Sequence, residues 1–392
     1  MNYKFFIIIL ISTIYFSCSS IIKTVIPLSS LPEPSGAYNV GTCQFHLIDD
    51  SRLEWFSEKD TTDYRELMVQ MWYPSDENPS IPPNPYMDNL EQRIPAVAEQ
   101  INLPKFLIKQ IKEIKTQSYQ NLKISQKENS FPVLIFSHGL GGMRVQNTSY
   151  IQELISHGFV VIAMDHTYDA NITIFPNNEI KNYKSNLPKS IKTENEALKL
   201  RYKQLKTRTD DITFVLNEFE KLNKNSNSQF YKKLSLDNVG IFGHSFGGAT
   251  SISALFNEPR IIAGISLDGW FEILPPKILS KGLIKPFFHL GQEKWEKNLN
   301  YKNRDLLIKN SSGDNWVSTF LKSKHFDYMD LPLFTDKTRN FKLTGKIEPI
   351  EFYNCLNEIQ LNFFNHYIKK NKNFNLNLIV EKYPFMIIEK SN

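Results

Sequence analysis

The 392 residues are enough for one large domain or two small ones, and 41% apolar with 13% aromatic residues argue against global disorder. The 46 basic and 41 acidic residues leave a net charge of +5, too small an excess to indicate a nucleic-acid partner. Three cysteines are too few for a disulfide scaffold, and they form no CxxC pair for zinc. The sequence leaves open whether Cys43 and Cys355 pair or stay as separate buried thiols.

The N-terminus has the pattern of an export signal. Lys4 precedes an apolar run over residues 5–16, which is short for a membrane span but typical of a signal peptide. Cys18 follows a small residue, as in bacterial lipoprotein signals, whose cysteine is lipidated. We therefore predict export, with residues 1–18 as the signal and Cys18 as a lipidation site. Ordinary cleavage near Ser19, giving a secreted protein, is the alternative.

The next segments predict a tether and then two strands. Residues 19–40 contain three prolines and several serines, which is typical of a tether. Residues 42–48 and 66–73 favour strands, since apolar side chains alternate along the second. The stretch 78–85 is interrupted by prolines and predicts a loop. A single catalytic domain is expected over residues 41–385.

Residues 105–115 have helical spacing with a basic face. Apolar side chains recur at intervals of three and four, and the lysines fall on the other side. The apolar positions are Phe106, Leu107, Ile108, Ile111 and Ile114. Such a helix can lie on a membrane surface, or it can pack on its own domain with a solvated lysine face. Both interpretations remain open at this point.

The middle of the chain alternates between strands and helices. Strands are predicted over 131–137, 159–165, 239–243, 261–267, 285–290 and 317–321, and helices over 149–156, 194–222, 247–256 and 359–370. Regular alternation of this kind predicts an α/β fold with a mostly parallel central sheet and helices on both faces.

The strongest chemical signal is the motif Gly243-His244-Ser245-Phe246-Gly247. It matches G-x-S-x-G with an apolar strand before it and a small-residue helix after it, which is the nucleophile turn of α/β-hydrolases. About 0.04 chance matches are expected in a chain of this composition. Ser245 is therefore the predicted nucleophile of an α/β-hydrolase fold.

A serine nucleophile needs a base, and the base needs an acid that orients it. Of the histidines after the motif, His289 lies inside an apolar strand and His366 lies among aromatic residues of a helix. His325 follows a strand in a polar turn, so we predict His325 as the base. The acid stays open between Asp268 and Glu293, because each follows a strand that ends at the same edge of the sheet.

The oxyanion hole should combine a backbone N–H after Ser245 with one from an earlier Gly-rich turn. The segment Ser137-His138-Gly139-Leu140-Gly141-Gly142 follows the strand 131–137 and fits that turn. His138 lies upstream of the nucleophile and is expected to brace this loop rather than to act as the base.

Several segments together resemble the secreted, calcium-independent platelet-activating-factor acetylhydrolase family and its bacterial dienelactone-hydrolase-like relatives. They are Ser137-His138-Gly139-Leu140-Gly141, Ser156-His157-Gly158-Phe159, Gly243-His244-Ser245-Phe246-Gly247-Gly248-Ala249-Thr250, Leu267-Asp268-Gly269-Trp270 and Lys324-His325-Phe326-Asp327. The resemblance runs from about residue 40 to about residue 370. It departs at 78–126 and 169–194, the segments expected to shape the acyl pocket.

The resemblance implies Asp268 as the acid and the N–H groups of Leu140 and Phe246 as oxyanion donors. It also implies phospholipids with a short or oxidised sn-2 acyl chain as substrates, with no metal or organic cofactor. A general carboxylesterase or polyester hydrolase is the alternative enzyme. A catalytically silent surface-binding protein is the alternative from another class. Membrane association through a lipidated Cys18 or the basic helix would suit a phospholipid substrate.

Overall fold

A ten-stranded sheet forms the centre of the computed structural model, which describes residues 28–57, 60–295, 297–372 and 374–391. The strands are β1 (Asn39–Leu53), β2 (Tyr64–Ser75), β3 (Ser118–Gln120), β4 (Phe131–Ser137), β5 (Val160–Asp165), β8 (Leu234–His244), β9 (Ile261–Leu267), β10 (Phe287–Gln292), β11 (Asn315–Phe320) and β12 (Met386–Ser391). Their order across the sheet is β12-β11-β10-β9-β8-β4-β5-β2-β1-β3. A separate hairpin pairs β6 (Ile172–Ile174) with β7 (Ile180–Asn182).

The centre of the sheet is parallel, as the sequence predicts. Strands β5, β4, β8, β9, β10 and β11 pair in parallel, and antiparallel pairs occur between β2 and β5, β1 and β2, and β11 and β12. The carboxyl ends of the parallel strands therefore meet at one edge of the sheet, where ligands bind in open α/β sheets.

Helices cover both faces of the sheet. They are α1 (Leu90–Gln100), α2 (Lys105–Ile108), α3 (Thr148–Ser156), α4 (Glu194–Lys224), α5 (Phe246–Asn257), α6 (Pro276–Lys281), α7 (Leu299–Asn310), α8 (Leu331–Phe334), α9 (Pro349–Tyr367) and α10 (Leu376–Lys382). Short 3-10 turns lie at Trp55–Ser57, Lys109–Glu113, Phe271–Ile273, His325–Tyr328 and Asp336–Arg339. Among the described residues, no helix is both long and apolar enough to cross a membrane.

Two hydrophobic clusters, one on each face of the sheet, explain why the central strands are continuously apolar. In β4, Val133 and Ile135 belong to the cluster that includes α4 and α5, while Leu134 and Phe136 belong to the cluster that includes α3 and α9. A strand covered on both faces needs apolar side chains at every position rather than at alternate ones.

The described thiols are separate. Cys43 lies in one of these clusters and Cys355 in the other, and both are free and buried. The alternative of two separate buried thiols is therefore the one that the structure favours.

Some boundaries differ from the sequence-based expectations. In the described part of the predicted tether, Leu31 is 2% exposed and the Ser35 N–H donates to Glu153 Oε2 at 2.9 Å, so this part packs on the domain. At the other end, β12 continues the sheet beyond residue 385. The predicted signal and Cys18 lie outside the described residues.

The predicted basic helix is shorter than the pattern indicated. The α-helix ends at Ile108 and continues as the 3-10 turn Lys109–Glu113. Its apolar residues Ile108, Ile111 and Ile114 are buried, while the lysines on the other side are exposed. The segment therefore packs on its own domain through its apolar face.

Candidate active site

Ser245 sits in a tight turn between β8 and α5. Its backbone has φ 58° and ψ −117°, a sparsely populated conformation for a residue with a side chain, and its N–H donates to the Leu267 carbonyl at 3.0 Å. The turn depends on glycine, because a Cβ built on Gly247 would lie 1.9 Å from the Ser137 carbonyl oxygen. The motif therefore brings β8, α5 and the end of β4 into close contact around the serine.

A hydrogen bond joins the predicted base to one of the two candidate acids. The Nδ1–H of His325 donates to Oδ2 of Asp268 at 2.5 Å. Asp268 is fully buried at the end of β9 and also accepts from Gln292 N, Gln292 Nε2 and Trp295 Nε1, at 3.1, 2.9 and 3.0 Å. Burial alone would raise the pKa of Asp268, but the hydrogen bond and electrostatic effect of His325 and the hydrogen bond from the Gln292 N–H hold its pKa below the ordinary value.

The other candidates lie in different surroundings. Glu293 is exposed and accepts a hydrogen bond from the Lys322 N–H at 2.8 Å. His289 is fully buried against Phe271, and this burial lowers its pKa to about 3. His366 lies on α9, where its Nδ1 is bonded to the Asn371 carbonyl at 2.7 Å. Asp268 is thus the candidate acid that the structure brings to His325.

Hydrogen bonds from neighbouring segments hold the predicted oxyanion turn in place. Phe246 is the first residue of α5, where backbone N–H groups have no intrahelical acceptor. In the facing turn, the Arg208 guanidinium donates to the His138 carbonyl at 2.7 Å and to Asp169 at 2.6 Å. The Asp169 carbonyl in turn accepts from the Gly141 N–H at 2.8 Å. This network fixes the loop that contains Leu140.

His138 braces this loop, as the sequence indicated. It is fully buried, and its Nε2 accepts from the His166 N–H at 3.1 Å, so its Nδ1–H donates to the Gly139 carbonyl at 2.6 Å. Burial and the nearby Arg208 charge hold the pKa of His138 well below its ordinary value. A neutral histidine with both nitrogens engaged is a structural element of the turn.

Ser245 and His325 line one apolar cavity of about 380 Å³, the Ser245 cavity. Its walls come from the segment before β3, from the oxyanion turn and from the segment after His325. They include Tyr86, Met87, Val97, Leu103, Leu107, Ile108, Ile111, Leu140, Met143, Leu331, Phe334, Phe341 and Leu343. Such an apolar cavity beside a few polar groups is typical of a small-molecule site.

The residues that sequence reasoning missed act on the predicted ones. Gln292 and Trp295 bind Asp268, and Arg208 supports the predicted oxyanion turn. Gln292 was detectable in principle, because it ends a parallel strand at the active edge. Arg208 was hidden inside a long helix, where an arginine usually points to solvent.

The fold and this site define an ester hydrolase of the α/β-hydrolase class. The chain matches a ferulic acid esterase from Streptomyces cinnamoneus with a TM-score of 0.73 and 22% identity, over 92% of this chain and 99% of that one. The likeness confirms the predicted fold class.

The chain belongs to the family described as platelet-activating factor acetylhydrolase, isoform II, whose model matches residues 24–381. It is 25% identical to the platelet-activating factor acetylhydrolase of Cavia porcellus, over 91% of this chain and 82% of that one. It is also 30% identical to a protein of Arthroderma benhamiae described as "Probable 1-alkyl-2-acetylglycerophosphocholine esterase", over 69% of this chain and 67% of that one. The resemblance seen in the sequence motifs is confirmed.

Proposed function

We propose that the chain hydrolyses short or oxidised sn-2 acyl esters of phospholipids by acyl transfer through Ser245. The observation that carries the proposal is the hydrogen bond from His325 to Asp268 beside a serine that lines the same apolar cavity. A base oriented by a buried carboxylate is the arrangement that activates a serine hydroxyl.

In the first step, Ser245 Oγ attacks the ester carbonyl carbon while His325 Nε2 takes its proton. Asp268 keeps the other ring proton on Nδ1 and stabilises the imidazolium that forms. The N–H groups of Leu140 and Phe246 stabilise the negative charge that develops on the carbonyl oxygen. The protonated His325 then gives its proton to the leaving alcohol oxygen, which departs as the lysophospholipid and leaves an acyl-serine.

In the second step, water replaces the alcohol. His325 removes a proton from the water as its oxygen attacks the acyl carbon, and the same oxyanion donors act again. Collapse of the tetrahedral intermediate breaks the bond to Ser245 Oγ, which recovers its proton from His325. The products are a free carboxylic acid and the original serine, so the cycle needs no redox partner.

The substrate class is supported by the family and by the cavity. The Cavia porcellus relative is named for acetyl hydrolysis of platelet-activating factor, and the Arthroderma benhamiae relative for a 1-alkyl-2-acetyl phospholipid. The Ser245 cavity is mostly apolar, with a volume in the range of ligand sites. An apolar cavity suits hydrocarbon next to the scissile ester better than a charged headgroup, which would stay at the mouth.

The test is hydrolysis of an sn-2 acetyl phospholipid beside a long-chain phospholipid and p-nitrophenyl acetate, for the wild type and Ser245→Ala. We expect the wild type to hydrolyse the acetyl phospholipid and to hydrolyse little of the long-chain one. Ser245→Ala should abolish this hydrolysis without changing the melting temperature. Turnover of p-nitrophenyl acetate alone would reject the lipid assignment in favour of a general carboxylesterase. No Ser245-dependent turnover of any ester would reject the enzyme in favour of a silent binding protein.

We also propose export and attachment to a membrane surface, through a lipid on Cys18 or through the lysines of the segment 105–115. The lysine face is exposed, the opposite face of this segment lines the Ser245 cavity, and Phe106 is 53% exposed beside it. Replacing Lys105, Lys109 and Lys112 by Gln should weaken binding to anionic vesicles, with an effect that disappears at high salt. Equal vesicle binding by this variant and the wild type would reject the basic-segment part.

A further inference from the structure

A chain of hydrogen bonds holds the turn that bears His325 at both of its ends. The 3-10 turn runs from His325 to Tyr328. The His325 carbonyl is bonded to His244 Nε2 at 3.0 Å, and the Tyr328 carbonyl accepts from Asn147 Nδ2 at 2.7 Å. Gln146 joins the two donors, since its Nε2 contacts Asn147 Oδ1 at 3.1 Å and His244 Nδ1 at 3.2 Å.

The direction of every hydrogen bond in this chain follows from the two carbonyls, which can only accept. Asn147 must present Nδ2 to Tyr328, so its Oδ1 faces Gln146. Gln146 must then present Nε2 to this oxygen, and the same nitrogen donates to His244 Nδ1. With Nδ1 accepting, the ring proton of neutral His244 is on Nε2, where it donates to the His325 carbonyl. Gln146 therefore selects the His244 tautomer that can hold the base.

The side chains that form this series of hydrogen bonds are buried. Asn147, Gln146 and His244 are 0, 3 and 2% exposed, and Gln146 and His244 also border the Ser245 cavity. Burial, with a smaller contribution from His325, lowers the pKa of His244 to about 3, so His244 is neutral at physiological pH. Its ring also packs against the His325 ring, with centroids 4.5 Å apart.

Gln146 takes this orientation at a cost. Its Oε1 is buried and has no hydrogen-bond partner among the described residues, while Nε2 serves two acceptors. An unpaired buried acceptor destabilises a fold, and each instance in a native structure calls for an explanation. The two acceptors of Nε2, Asn147 Oδ1 and His244 Nδ1, account for the orientation of this amide.

We propose that Asn147, Gln146 and His244 act as positioning residues, which fix the backbone of the His325 turn so that the imidazole keeps its hydrogen bond to Asp268 in the cavity that Ser245 lines. The inference rests on the proposed function, in which His325 is the base. The His325 side chain is 29% exposed and bonded to Asp268 through Nδ1, so the position of its Nε2 depends on the backbone that supports it. A shift of about 1 Å in a reacting group costs on the order of 100-fold in rate.

The first test exploits the reach of amide side chains at position 244. His244→Gln can place its amide nitrogen near the position of Nε2 and its oxygen toward Gln146, whereas His244→Asn is too short to reach the His325 carbonyl. We expect His244→Gln to retain kcat within about 5-fold, and His244→Asn and His244→Phe to lose about 10- to 100-fold with KM nearly unchanged. The substrate is p-nitrophenyl acetate, so the result does not depend on the lipid assignment.

The second test removes the hydrogen bonds that Gln146 donates to Asn147 and His244, and it leaves the His244 ring in place. Gln146→Met also removes the unpaired oxygen, so it should fold, and we expect about a 10-fold loss of kcat. If both residues act through one chain, the double variant Gln146→Met/His244→Phe should lose no more than His244→Phe alone. Melting temperatures, and titration of Ser245 with a fluorophosphonate, restrict the comparison to folded protein.

The possible outcomes distinguish the positioning role of these three residues from the assignment of Ser245 and His325 as catalytic residues. Absence of Ser245-dependent turnover in the wild type would reject the proposed function itself. With an active wild type, the positioning role of Asn147, Gln146 and His244 is overturned if folded His244→Asn keeps full kcat, or if the losses appear in KM rather than in kcat. It is also overturned if His244→Gln loses as much kcat as His244→Phe, or if the two losses of the double variant add.

Discussion

Asp268→Asn is the substitution that tests the site most directly, because Asp268 is surrounded by donors. Its two carboxylate oxygens accept from His325 Nδ1, Gln292 N, Gln292 Nε2 and Trp295 Nε1, all within 3.1 Å. An asparagine of the same shape has one oxygen and an NH2 group. At least one of the four donors then faces another donor.

The catalytic effect follows from the ring proton. If the new amide donates to His325 Nδ1, the proton of the ring moves to Nε2, which then has no lone pair with which to accept the Ser245 proton. The imidazolium also loses its counter-charge. The same change in a Ser-His-Asp protease costs about 10⁴ in kcat, which corresponds to about 5 kcal/mol of transition-state stabilisation. We expect a loss of this size with KM changed far less.

The variant also carries a pH signature in stability. The pKa of folded Asp268 lies below its ordinary value, so its charge stabilises the fold above the unfolded pKa of about 3.9. This contribution is lost as the pH falls through the folded pKa. The wild type should therefore unfold at higher denaturant than Asp268→Asn at pH 7, and the difference should shrink below pH 4.

The assay is steady-state hydrolysis of p-nitrophenyl acetate, with urea unfolding at several pH values. Glu293→Gln is the matched control, because Glu293 is exposed and accepts from the Lys322 N–H. Its activity should stay within about 2-fold of the wild type, as for most surface substitutions. Activity of folded Asp268→Asn within 10-fold of the wild type, or a larger loss in Glu293→Gln, would refute the assignment of the acid.

Three further results are expected. Gly247→Ala should lower both the melting temperature and the activity, because its Cβ would meet the Ser137 carbonyl and such overpacking costs about 1–3 kcal/mol of folding free energy or more. An unchanged melting curve would contradict this expectation. Burial raises the pKa of Asp330 to about 7, so the folded state holds a proton that the unfolded chain releases; stability should fall as pH rises from about 4 to 7, and Asp330→Asn should flatten that slope in urea unfolding. Burial also raises the pKa of the Cys43 and Cys355 thiols, so peptide mapping after brief iodoacetamide treatment of native protein should find both unmodified, and modified after denaturation.

The parts of the site that follow from local patterns were predictable. A continuously apolar strand, a glycine-flanked serine and a small-residue helix are adjacent in sequence, so the Ser245 turn appears in a single stretch of residues. His325 is the predicted base because catalytic groups follow strands at the carboxyl edge of a parallel sheet. The same rule could not separate Asp268 from Glu293, because both follow such strands, and that choice came from the family resemblance.

The supporting contacts could not be read from the sequence, because they join distant segments. The Gln146–His244 contact spans 98 residues, and the Asn147–Tyr328 contact spans 181. Arg208 belongs to a 31-residue helix with a mostly polar pattern, and only the packed structure shows its guanidinium donating to the His138 carbonyl in the predicted oxyanion turn. The helix α1 was missed because Pro95 lies inside it and its N-cap is a left-handed Asn89.

The chemistry and the substrate selectivity of this chain are encoded in different places. Ser245 and His325 follow strands of the central sheet, and their positions are fixed by strand register and by short turns. The walls of the Ser245 cavity come from segments outside the parallel strands, such as Leu107 in the segment before β3 and Phe334 after the His325 turn. Wall residues need only be apolar and of the right volume, so their sequence signal is generic. The sequence therefore predicts the reaction from its own residues, while the acyl group is predicted through relatives. Substitutions in the cavity wall should therefore change the length of the acyl chain that is accepted without disturbing the hydrogen bond between Asp268 and His325.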